Sequence, residues 1–390
     1  TVTDLVTVAS LDIGGTTQLG ADVTTAGDQT YNGAISLMTD VMLSGSHVTT
    51  QAVTGAHQLS ITGHADINGA VAVNDLSVSG DADFATTVDA AAITIGGNSS
   101  INGLLTADSL AIAGTSAIAA DITTLGTQTY GDAITLSRDV MLTGSRITTN
   151  AVAGAYHLSV SGDADINGAV TVNDLSVSGD AAFASTVNAN AIRVGGNSVI
   201  GDTITADSLQ ISGTTALGAD VSTVAEQNYG DAVTLTQDAT LSATDIHFNG
   251  SVDGHHRLAL NAVATLSEQV GGREQLSEVV FAKATDLAVD INAATQTYNQ
   301  DLTLSNDVTL RGDVSAQSVT GAHNLAVIGE AELNGEVSVN DLTVSGNTRF
   351  GGTVQAREVR VAGNTTVTDL VTVASLDIGG TTQLGADVTT

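Results

Sequence analysis

The sequence predicts an all-β fold, a parallel β-solenoid, and three observations lead to that prediction. First, residues 1–25 recur letter for letter as residues 366–390, so position i returns at position i + 365; we call this the long period. Second, the apolar residues come in pairs two positions apart, the spacing of a strand whose alternate residues face inward. Third, Gly, Asn and Asp, which favour turns, separate these pairs. Short strands and turns repeated at a fixed period are typical of a coil of stacked turns.

The smallest regular repeat appears in three consecutive segments of equal length, 158–174, 175–191 and 192–208. The first reads LSVSGDADINGAVTVND, and the other two have the same pattern. Each contains three apolar pairs with turn residues between them. The pattern therefore predicts three short strands and three corners in one coil.

A larger repeat is marked by four tyrosines in a Q-[TN]-Y phrase. Tyr31, Tyr130 and Tyr229 are 99 residues apart, and Tyr298 follows after 69. The long period thus contains three full units of this kind and one truncated unit. Because these tyrosines lie about five coils apart, they cannot form a continuous aromatic ladder, and we expect each to plug a widened corner.

Counting coil starts from Leu11 to Val359 gives 18 coils of about 17–26 residues, a length typical of solenoid repeats. The longer coils are expected at 209–232 and 233–257. Residues 1–390 are expected to form one continuous solenoid, a window of a longer repetitive chain. Right-handed coiling is expected from the hand of parallel crossover connections. A β-sandwich array is the alternative, but sandwiches need longer strands and a thicker core.

Composition excludes several partners. Ten Lys and Arg stand against 42 Asp and Glu, a formal net charge of −32, which disfavours nucleic acid and anionic membranes. No apolar run reaches the roughly 18 residues of a membrane span, so no membrane insertion is predicted. Cys is absent, which excludes disulfides and thiolate metal sites, and Pro is absent, which suits strands paired on both edges.

Residues 258–301 interrupt the coil rhythm and are expected to form irregular coils. The segment LSEVVFAKATDLAV within it fits either a helix or a strand. Arg257, Arg273 and Lys283, the only Lys of the chain, gather here, and we identify them as candidates for a lateral contact with an acidic neighbouring filament. The alternative is a divergent coil whose charges face water.

Histidines recur in a GAH-like phrase and resemble a metal-ligand set. His57, His157 and His323 lie about five coils apart, however, or about 24 Å at the strand spacing, whereas zinc ligands lie about 2.0 Å from the metal. The paired His255-His256 occupies the same phrase. We therefore expect these histidines to be corner residues.

Aspartates are the candidate calcium ligands. Asp163 and Asp180 are expected to stack in adjacent coils, as are Asp66 and Asp83, at about 4.8 Å. The D-x-D-x-N-G phrase resembles the first half of a calcium loop but lacks its closing Glu. The candidate calcium residues are Asp163, Asp165, Asn167, Asp180, Asp66 and Asp83. No other cofactor is expected.

No enzymatic motif is present. The sequence contains no G-x-S-x-G, no H-E-x-x-H and no phosphate-binding glycine loop, and its few basic residues form no catalytic cluster with Asp. A polysaccharide-active enzyme is the class that a solenoid would suggest, and we predict that the chain is not one.

The phrases QTYGDAITLSRDVMLTG, VDGHHRLAL and LSVSGDADINGAV resemble the repeats of large bacterial surface proteins of the filamentous-haemagglutinin-like type. The resemblance covers nearly the whole chain and is weakest in residues 258–301. It implies an extracellular or cell-surface β-helix. The near-identity between successive long periods departs from that family and favours a uniform fibre over a variable adhesive tip.

These observations together predict a non-enzymatic structural shaft of a bacterial cell-surface or extracellular filament, such as a spacer, fibre or biofilm-matrix element. Its expected partner is itself, by end-to-end continuation or stacking and by lateral bundling. The alternative is an adhesin whose solenoid surface binds glycans or host ligands. Uncapped coil ends present unpaired edges, which is the reason to expect continuation.

Overall fold

A computed structural model describes residues 1–390 and confirms the predicted fold class. The chain contains strands and no helix, every pairing between strands is parallel, and the turns lie about 17 residues apart, 23 in all. This is a parallel β-solenoid. Two compact units divide it, Thr1–Gly195 (unit 1) and Gly196–Thr390 (unit 2).

The 26 strands of unit 1 are short because a corner interrupts the chain every few residues. In chain order they are β1 Val6–Val8, β2 Leu11–Ile13, β3 Thr17–Leu19, β4 Val23–Thr25, β5 Gln29–Tyr31, β6 Ile35–Leu37, β7 Val41–Thr50, β8 Val53–Thr54, β9 Leu59–Ile67, β10 Val71–Ala72, β11 Asp75–Val78, β12 Ala82–Phe84, β13 Val88–Ile95, β14 Ser99–Ile101, β15 Leu105–Ile112, β16 Ser116–Ile118, β17 Ile122–Thr124, β18 Thr127–Tyr130, β19 Ile134–Leu136, β20 Val140–Thr149, β21 Val152–Ala153, β22 His157–Ile166, β23 Val170–Thr171, β24 Asp174–Val177, β25 Ala181–Phe183 and β26 Val187–Val194.

Unit 2 has 23 strands of the same kind. They are β27 Ser198–Ile200, β28 Ile204–Ile211, β29 Thr215–Leu217, β30 Val221–Thr223, β31 Glu226–Tyr229, β32 Val233–Leu235, β33 Ala239–Phe248, β34 Val252–Asp253, β35 Arg257–Leu266, β36 Leu276–Phe281, β37 Thr285–Leu287, β38 Ile291–Leu304, β39 Val308–Thr320, β40 Leu325–Ile328, β41 Ala331–Leu333, β42 Val337–Ser338, β43 Asp341–Val344, β44 Thr348–Phe350, β45 Val354–Val361, β46 Thr365–Val367, β47 Val371–Ile378, β48 Thr382–Leu384 and β49 Val388–Thr389.

The turn that contains β9 and β10 shows how sequence dictates this architecture. Its inward residues Leu59, Ala65 and Val71 begin the three sides, and none is more than 2% exposed. Leu59 pairs in register with Leu76 of the next turn. Each side thus buries alternate apolar residues in a narrow core, while the main-chain groups bond to the turns on either side.

One corner of each larger repeat requires glycine. Gly55 has φ +145°, and Gly154, at the equivalent position of the next larger repeat, has φ +149°. A Cβ at Gly55 would lie 2.6 Å from the carbonyl oxygen of Leu37 in the preceding turn. Both conformation and space therefore exclude a side chain here.

The long coils expected at 209–232 and 233–257 are not observed, and the expected count of 18 coils is too low, since the chain has 23 turns. Gln227 pairs with Leu209 of the preceding turn and with Ile246 of the following turn, so each step has nearly the ordinary length. Gln227 faces the core, where the apolar pattern predicts only apolar residues. The apolar pattern therefore misses the turn that contains Gln227 and counts it with a neighbouring turn as one long coil.

Residues 258–301 form strands, not a helix. Val270 keeps its place on the third side of this turn through parallel bridges to Val252 and Ile291. The pairing of Leu258 with Val279 spans more residues than an ordinary turn because residues 271–275 form an additional loop after it. Asp253, only 6% exposed, anchors this loop: its Oδ1 accepts hydrogen bonds from the main-chain N–H groups of Arg273 (2.8 Å) and Glu274 (3.3 Å). The irregularity is therefore confined to a corner, and the strands on either side remain in register.

Candidate functional surface at the corners

Seventeen Asp and Asn side chains at the corners make the same structural contact. In each case a side-chain oxygen of Asp or Asn accepts a hydrogen bond from a main-chain N–H group of the following turn, at 2.7–3.1 Å. We call these contacts the corner ladder. In unit 1 the acceptors are Asp22, Asp40, Asp75, Asp81, Asn98, Asp121, Asp139, Asp163 and Asp174. In unit 2 they are Asn197, Asp220, Asp238, Asp290, Asp307, Asp313, Asn347 and Asn364.

The corner ladder gives 13 of the 42 acidic residues a structural role. At a corner the strand ladder is interrupted, and its N–H groups need another acceptor. A charged acceptor makes a stronger hydrogen bond than a neutral one. The pKa of Asp307 shows this effect: hydrogen bonds from the main chain and side chain of Asn324 lower it from the usual value, and nearby His323 contributes.

The candidate calcium residues stack as expected. Asp66 pairs with Asp83 in register, and the main-chain N–H of Asp180 donates to Oδ1 of Asp163 at 3.0 Å. Asp165, however, lies 2.5 Å from the Arg146 guanidinium.

The structure therefore brings these side chains into line along the stack without forming a cation cage. Asn167 lies on the exposed corner that follows β22. No group of three or more His, Cys, Asp and Glu side chains is arranged to hold a metal ion.

Two histidines of adjacent turns are neighbours at one corner of the first larger repeat, with their rings tilted by 36°. His47 pairs with His64 of the next turn, and their ring centroids lie 6.3 Å apart. His47 Nε2 lies 2.6 Å from Oδ2 of Asp66. His64 replaces Asp or Asn in the corner ladder, because its Nδ1 accepts the main-chain N–H of Asp81 at 3.1 Å.

The equivalent corner of the second larger repeat contains no histidine. Arg146 stands where the first repeat has His47, and it lies 2.5 Å from Asp165. This hydrogen bond to Asp165 raises the pKa of Arg146. Asp163 stands where the first repeat has His64 and accepts the N–H of Asp180. The two corners therefore have the same backbone geometry with different acceptors.

The remaining recurrent histidines lie at or beside corners, as expected. Four of the five face a carboxylate of an adjacent turn rather than another histidine of the set. The pairs are His57 with Asp40 at 3.6 Å, His157 with Asp174 at 2.6 Å, His256 with Asp238 at 3.6 Å and His323 with Asp307 at 3.8 Å.

The four Q-[TN]-Y tyrosines are buried in the core, and each bonds to a buried Gln side chain two positions earlier, which we call the Gln plug. Tyr130 Oη donates to Gln128 Oε1 at 2.9 Å, and Gln128 Nε2 donates to the carbonyl oxygens of Thr143 (2.7 Å) and Ile122 (3.3 Å). The same arrangement recurs at Gln29, Gln227 and Gln296. Burial raises the pKa of each of the four tyrosines above its usual range. Here the Gln side chain fills the widened corner, and the Tyr orients it.

The lateral-contact candidates lie in or beside the irregular stretch. Arg257 forms an ion pair with Glu278 of the next turn, with Nε 2.5 Å from Oε2. Arg273 and Lys283 are both exposed, Arg273 on the additional loop and Lys283 on the corner between β36 and β37. The structure thus assigns Arg257 an intramolecular partner and leaves the side chains of Arg273 and Lys283 facing outward.

A polar cleft of about 660 Å³ crosses six turns of unit 2. Asp313, Glu330 and Glu332 line it together with Arg349, whose guanidinium lies 3.7 Å from Glu332. No tyrosine, phenylalanine or tryptophan lines it.

Sequence reasoning missed the corner ladder and the Gln plug. The signal for the ladder was present: Asp or Asn recurs directly before the first inward residue of a side. The signal for the plug was the Gln that stands two positions before each of the four tyrosines. A Gln two positions from a buried Tyr, both on the inward face, indicates an internal hydrogen bond.

Comparison with known proteins gives this chain no relative: no family model, no curated protein and no solved structure matches it. The structure also contains no helix long and apolar enough to span a membrane.

Proposed function

We propose that this chain is a non-enzymatic structural shaft of a bacterial cell-surface or extracellular filament, a stiff spacer or matrix element. One observation carries the proposal: the repeats keep their internal architecture while their surfaces change. The plug formed by Gln29 and Tyr31 recurs unchanged at Gln128 and Tyr130. Outward residues between the same two repeats differ in charge, as where Arg138 replaces Thr39.

That pattern is the opposite of what a repeated binding site would show. A repeated ligand site would preserve a set of outward side chains, whereas selection for a mechanical element preserves the core and the ladders. Because the strands are hydrogen-bonded to their neighbours in adjacent turns, bending the shaft would strain many bonds at once. The filamentous-haemagglutinin-like identity suggested by the sequence belongs to this proposal and supports the extracellular location.

The partner in this proposal is another stretch of the same repeat. In the first copy of the repeated segment, Leu11–Ile13 pairs with Gln29–Tyr31 of the following turn. In the second copy, the identical Leu376–Ile378 pairs with Val359–Val361 of the preceding turn. The same strand sequence therefore pairs on each of its two edges, which supports uninterrupted continuation of the ladder from one long period to the next.

Diffraction and labelling test the proposal. Oriented films of the purified chain are expected to give a meridional reflection at about 4.8 Å. Antibodies against exposed corner residues are expected to decorate native cell-surface filaments along their length. Labelling confined to filament tips, or absence of labelled filaments, would overturn the shaft.

A glycan panel separates the shaft from the adhesin. The shaft predicts no saturable binding of the full chain to any glycan. Saturable binding that is lost in Glu332→Gln and Asp313→Asn, which alter the polar cleft, would support the adhesin instead.

A further inference from the structure

We propose that one corner of unit 2 is a docking surface for a second copy of this chain, and this inference rests on the proposed filament. The surface is formed by the exposed side chains of His255, Arg273 and Arg311, which we call the basic corner. Its partner is the acidic stretch of residues 1–137 in a neighbouring molecule. Arg257, which is paired with Glu278, is not part of the surface.

Backbone pairing brings both arginines to the same corner. Gly271 begins the additional loop, and the side-chain amide of Asn292 in the next turn donates to its carbonyl oxygen at 2.7 Å. Asn292 pairs in register with Arg311, one turn further on. Arg311 therefore lies two turns from the loop that contains Arg273, or about 10 Å along the stack at the strand spacing.

The additional loop holds Arg273 in a fixed place. The main-chain N–H of Arg273 donates to the buried carboxylate of Asp253 at 2.8 Å, and the N–H of Gly271 donates to the carbonyl oxygen of Val252 at 2.7 Å. His255, two positions after Asp253, is exposed on the corner of the preceding turn. A loop that is already anchored loses less conformational freedom when it binds a partner.

Both arginines lack a carboxylate partner within the chain. Of the nine arginines, six form an ion pair with Asp or Glu. The exceptions are Arg193, Arg273 and Arg311, so two of the three unpaired arginines belong to the basic corner. Glu274, the acidic neighbour of Arg273 in the loop, forms no ion pair with it. These two guanidinium groups can therefore bind another molecule without first breaking an internal ion pair.

The basic corner occurs in only one of the four larger repeats. At the position of His255, the other three repeats have Ala56, Ala155 and Ala322. In those repeats the following turn has the ordinary 17-residue step, without an additional loop. The surface is therefore present once in each long period, and contacts between two filaments would recur at that interval.

The partner stretch has the complementary set of unpaired charges. Residues 1–137 contain thirteen Asp and no Lys or Arg. Four of these carboxylates are exposed and make no hydrogen bond or ion pair within the chain, namely Asp28, Asp83, Asp89 and Asp108. At physiological ionic strength the Debye length is about 8 Å, so the repulsion between two acidic molecules is largely screened beyond the contact itself. A neighbouring copy thus offers free carboxylates to arginines that have none of their own.

The strength of this contact decides how it must be measured. A single exposed ion pair strengthens association by only about twofold to fivefold. Contacts that recur along two filaments act together and can hold them side by side. Between two separate chains the association is weak, and covalent capture is therefore the appropriate measurement.

Zero-length cross-linking of the full chain tests the proposal. A carbodiimide couples a carboxylate to an amine in contact with it, and Lys283 is the only lysine of the chain. Arg273→Lys and Arg311→Lys each place one amine on the basic corner and keep the positive charge. Arg193→Lys, at the third unpaired arginine, is the matched control. Isotope-labelled and unlabelled chains are mixed at about 0.15 M salt with chelator, so a cross-link between a labelled and an unlabelled peptide joins two molecules.

We expect cross-links between molecules from the amines of Arg273→Lys and Arg311→Lys to residues 1–137, at a yield about fivefold above that of Arg193→Lys. Adding Arg311→Glu to Arg273→Lys should lower the yield at position 273 by about fivefold, because it removes one attraction and adds a repulsion. Equal yields in the three Lys variants, cross-links within one molecule only, or coupling mainly to residues 138–390 would overturn the proposal.

Failure of the docking surface can be told apart from failure of the filament. If cross-links between molecules are absent while the meridional reflection at about 4.8 Å is retained, the basic corner is not a contact and the shaft still stands. Dextran sulfate probes the other occupant, a soluble polyanion. Saturable binding of dextran sulfate that is lost in Arg273→Glu, without cross-links between molecules, would assign the corner to a polyanion and overturn a second copy as its partner.

Discussion

The regular turns of residues 59–112 and the irregular turns of residues 258–304 have the same strands but different corners. In the first stretch Leu59, Leu76 and Ile93 pair in register at a constant step of about 17 residues. In the second, the step from Leu258 to Val279 is longer than the ordinary one by the additional loop. The comparison teaches that additional chain is accommodated at corners, where a buried acceptor or a polar plug satisfies the freed main-chain groups, while the sides remain fixed.

The largest expected effect comes from truncating the aromatic core in each stretch. Phe281 stacks on Tyr298 with ring centroids 5.0 Å apart, whereas Phe84 packs in register between Ile67 and Ile101. Phe281→Ala and Phe84→Ala should each lower the free energy of unfolding by about 3–5 kcal/mol. Phe281→Ala should cost about 1 kcal/mol more because it also removes a ring stack. Urea unfolding of the full chain measures both, and equal losses would refute the additional role of the stack.

The second effect tests the anchor of the additional loop. Asp253→Ala leaves the N–H groups of Arg273 and Glu274 without an acceptor, and we expect a loss of about 2–3 kcal/mol. Limited proteolysis should show faster cleavage within residues 271–275. Asp253→Asn is the matched control, because it keeps an acceptor oxygen and should lose less. If the Ala and Asn variants unfold and cleave alike, the anchor is not the acceptor.

The third effect concerns the widened corners, which need a plug that the regular turns lack. Gln128→Leu removes the side-chain donor to the carbonyl oxygens of Ile122 and Thr143 and the acceptor of the Tyr130 hydroxyl, at a cost of about 2 kcal/mol. Tyr130→Phe should cost about 1 kcal/mol. Gln58→Leu, at an exposed position, is the control and should change the urea midpoint little. A cost at Gln128 no larger than at Gln58 would contradict the plug.

The smallest effect is a pH dependence at a corner carboxylate. The pKa of Asp307 is lowered in the folded chain, chiefly by the main-chain hydrogen bond from Asn324. Its stabilising contribution is therefore present above the unfolded pKa of about 3.9 and is lost as pH falls through the lower folded value. Asp307→Asn keeps an acceptor but does not titrate.

Asp307→Asn should therefore show a smaller fall in urea midpoint than the natural chain between about pH 5 and about pH 3. Asp4→Asn, at an exposed position, should leave the fall unchanged. Parallel titration curves for the natural chain and Asp307→Asn would contradict the assignment.

The sequence predicted the architecture because the architecture depends on a local pattern. Alternation at Leu158 and Val160 and the turn residues after them sufficed for strands, corners and the 17-residue step of the regular turns. The prediction failed at Gln227, because a buried Gln is acceptable only when carbonyl oxygens from two turns converge on it. That convergence is a property of the stacked chain and cannot be read from one turn.

At the candidate calcium residues, too, some contacts follow from the sequence pattern and others depend on the folded corner. Stacking of Asp66 on Asp83 followed from the step alone and is confirmed. The pairing of Arg146 with Asp165 was not predicted, because it depends on a register shift between Thr143 and Arg146. The corner geometry decides whether a carboxylate pairs with a basic side chain or accepts a hydrogen bond from a main-chain N–H group of the next turn.

The corner ladder has a consequence for how the fold tolerates cleavage of its main chain. Each Asp or Asn of the corner ladder accepts a hydrogen bond only from the turn that follows it. The main chain is therefore held by many independent hydrogen bonds along its length. A peptide bond cut at one exposed corner would leave both new ends fastened by the turns on either side. A chain with this architecture would then keep its form after many such cuts.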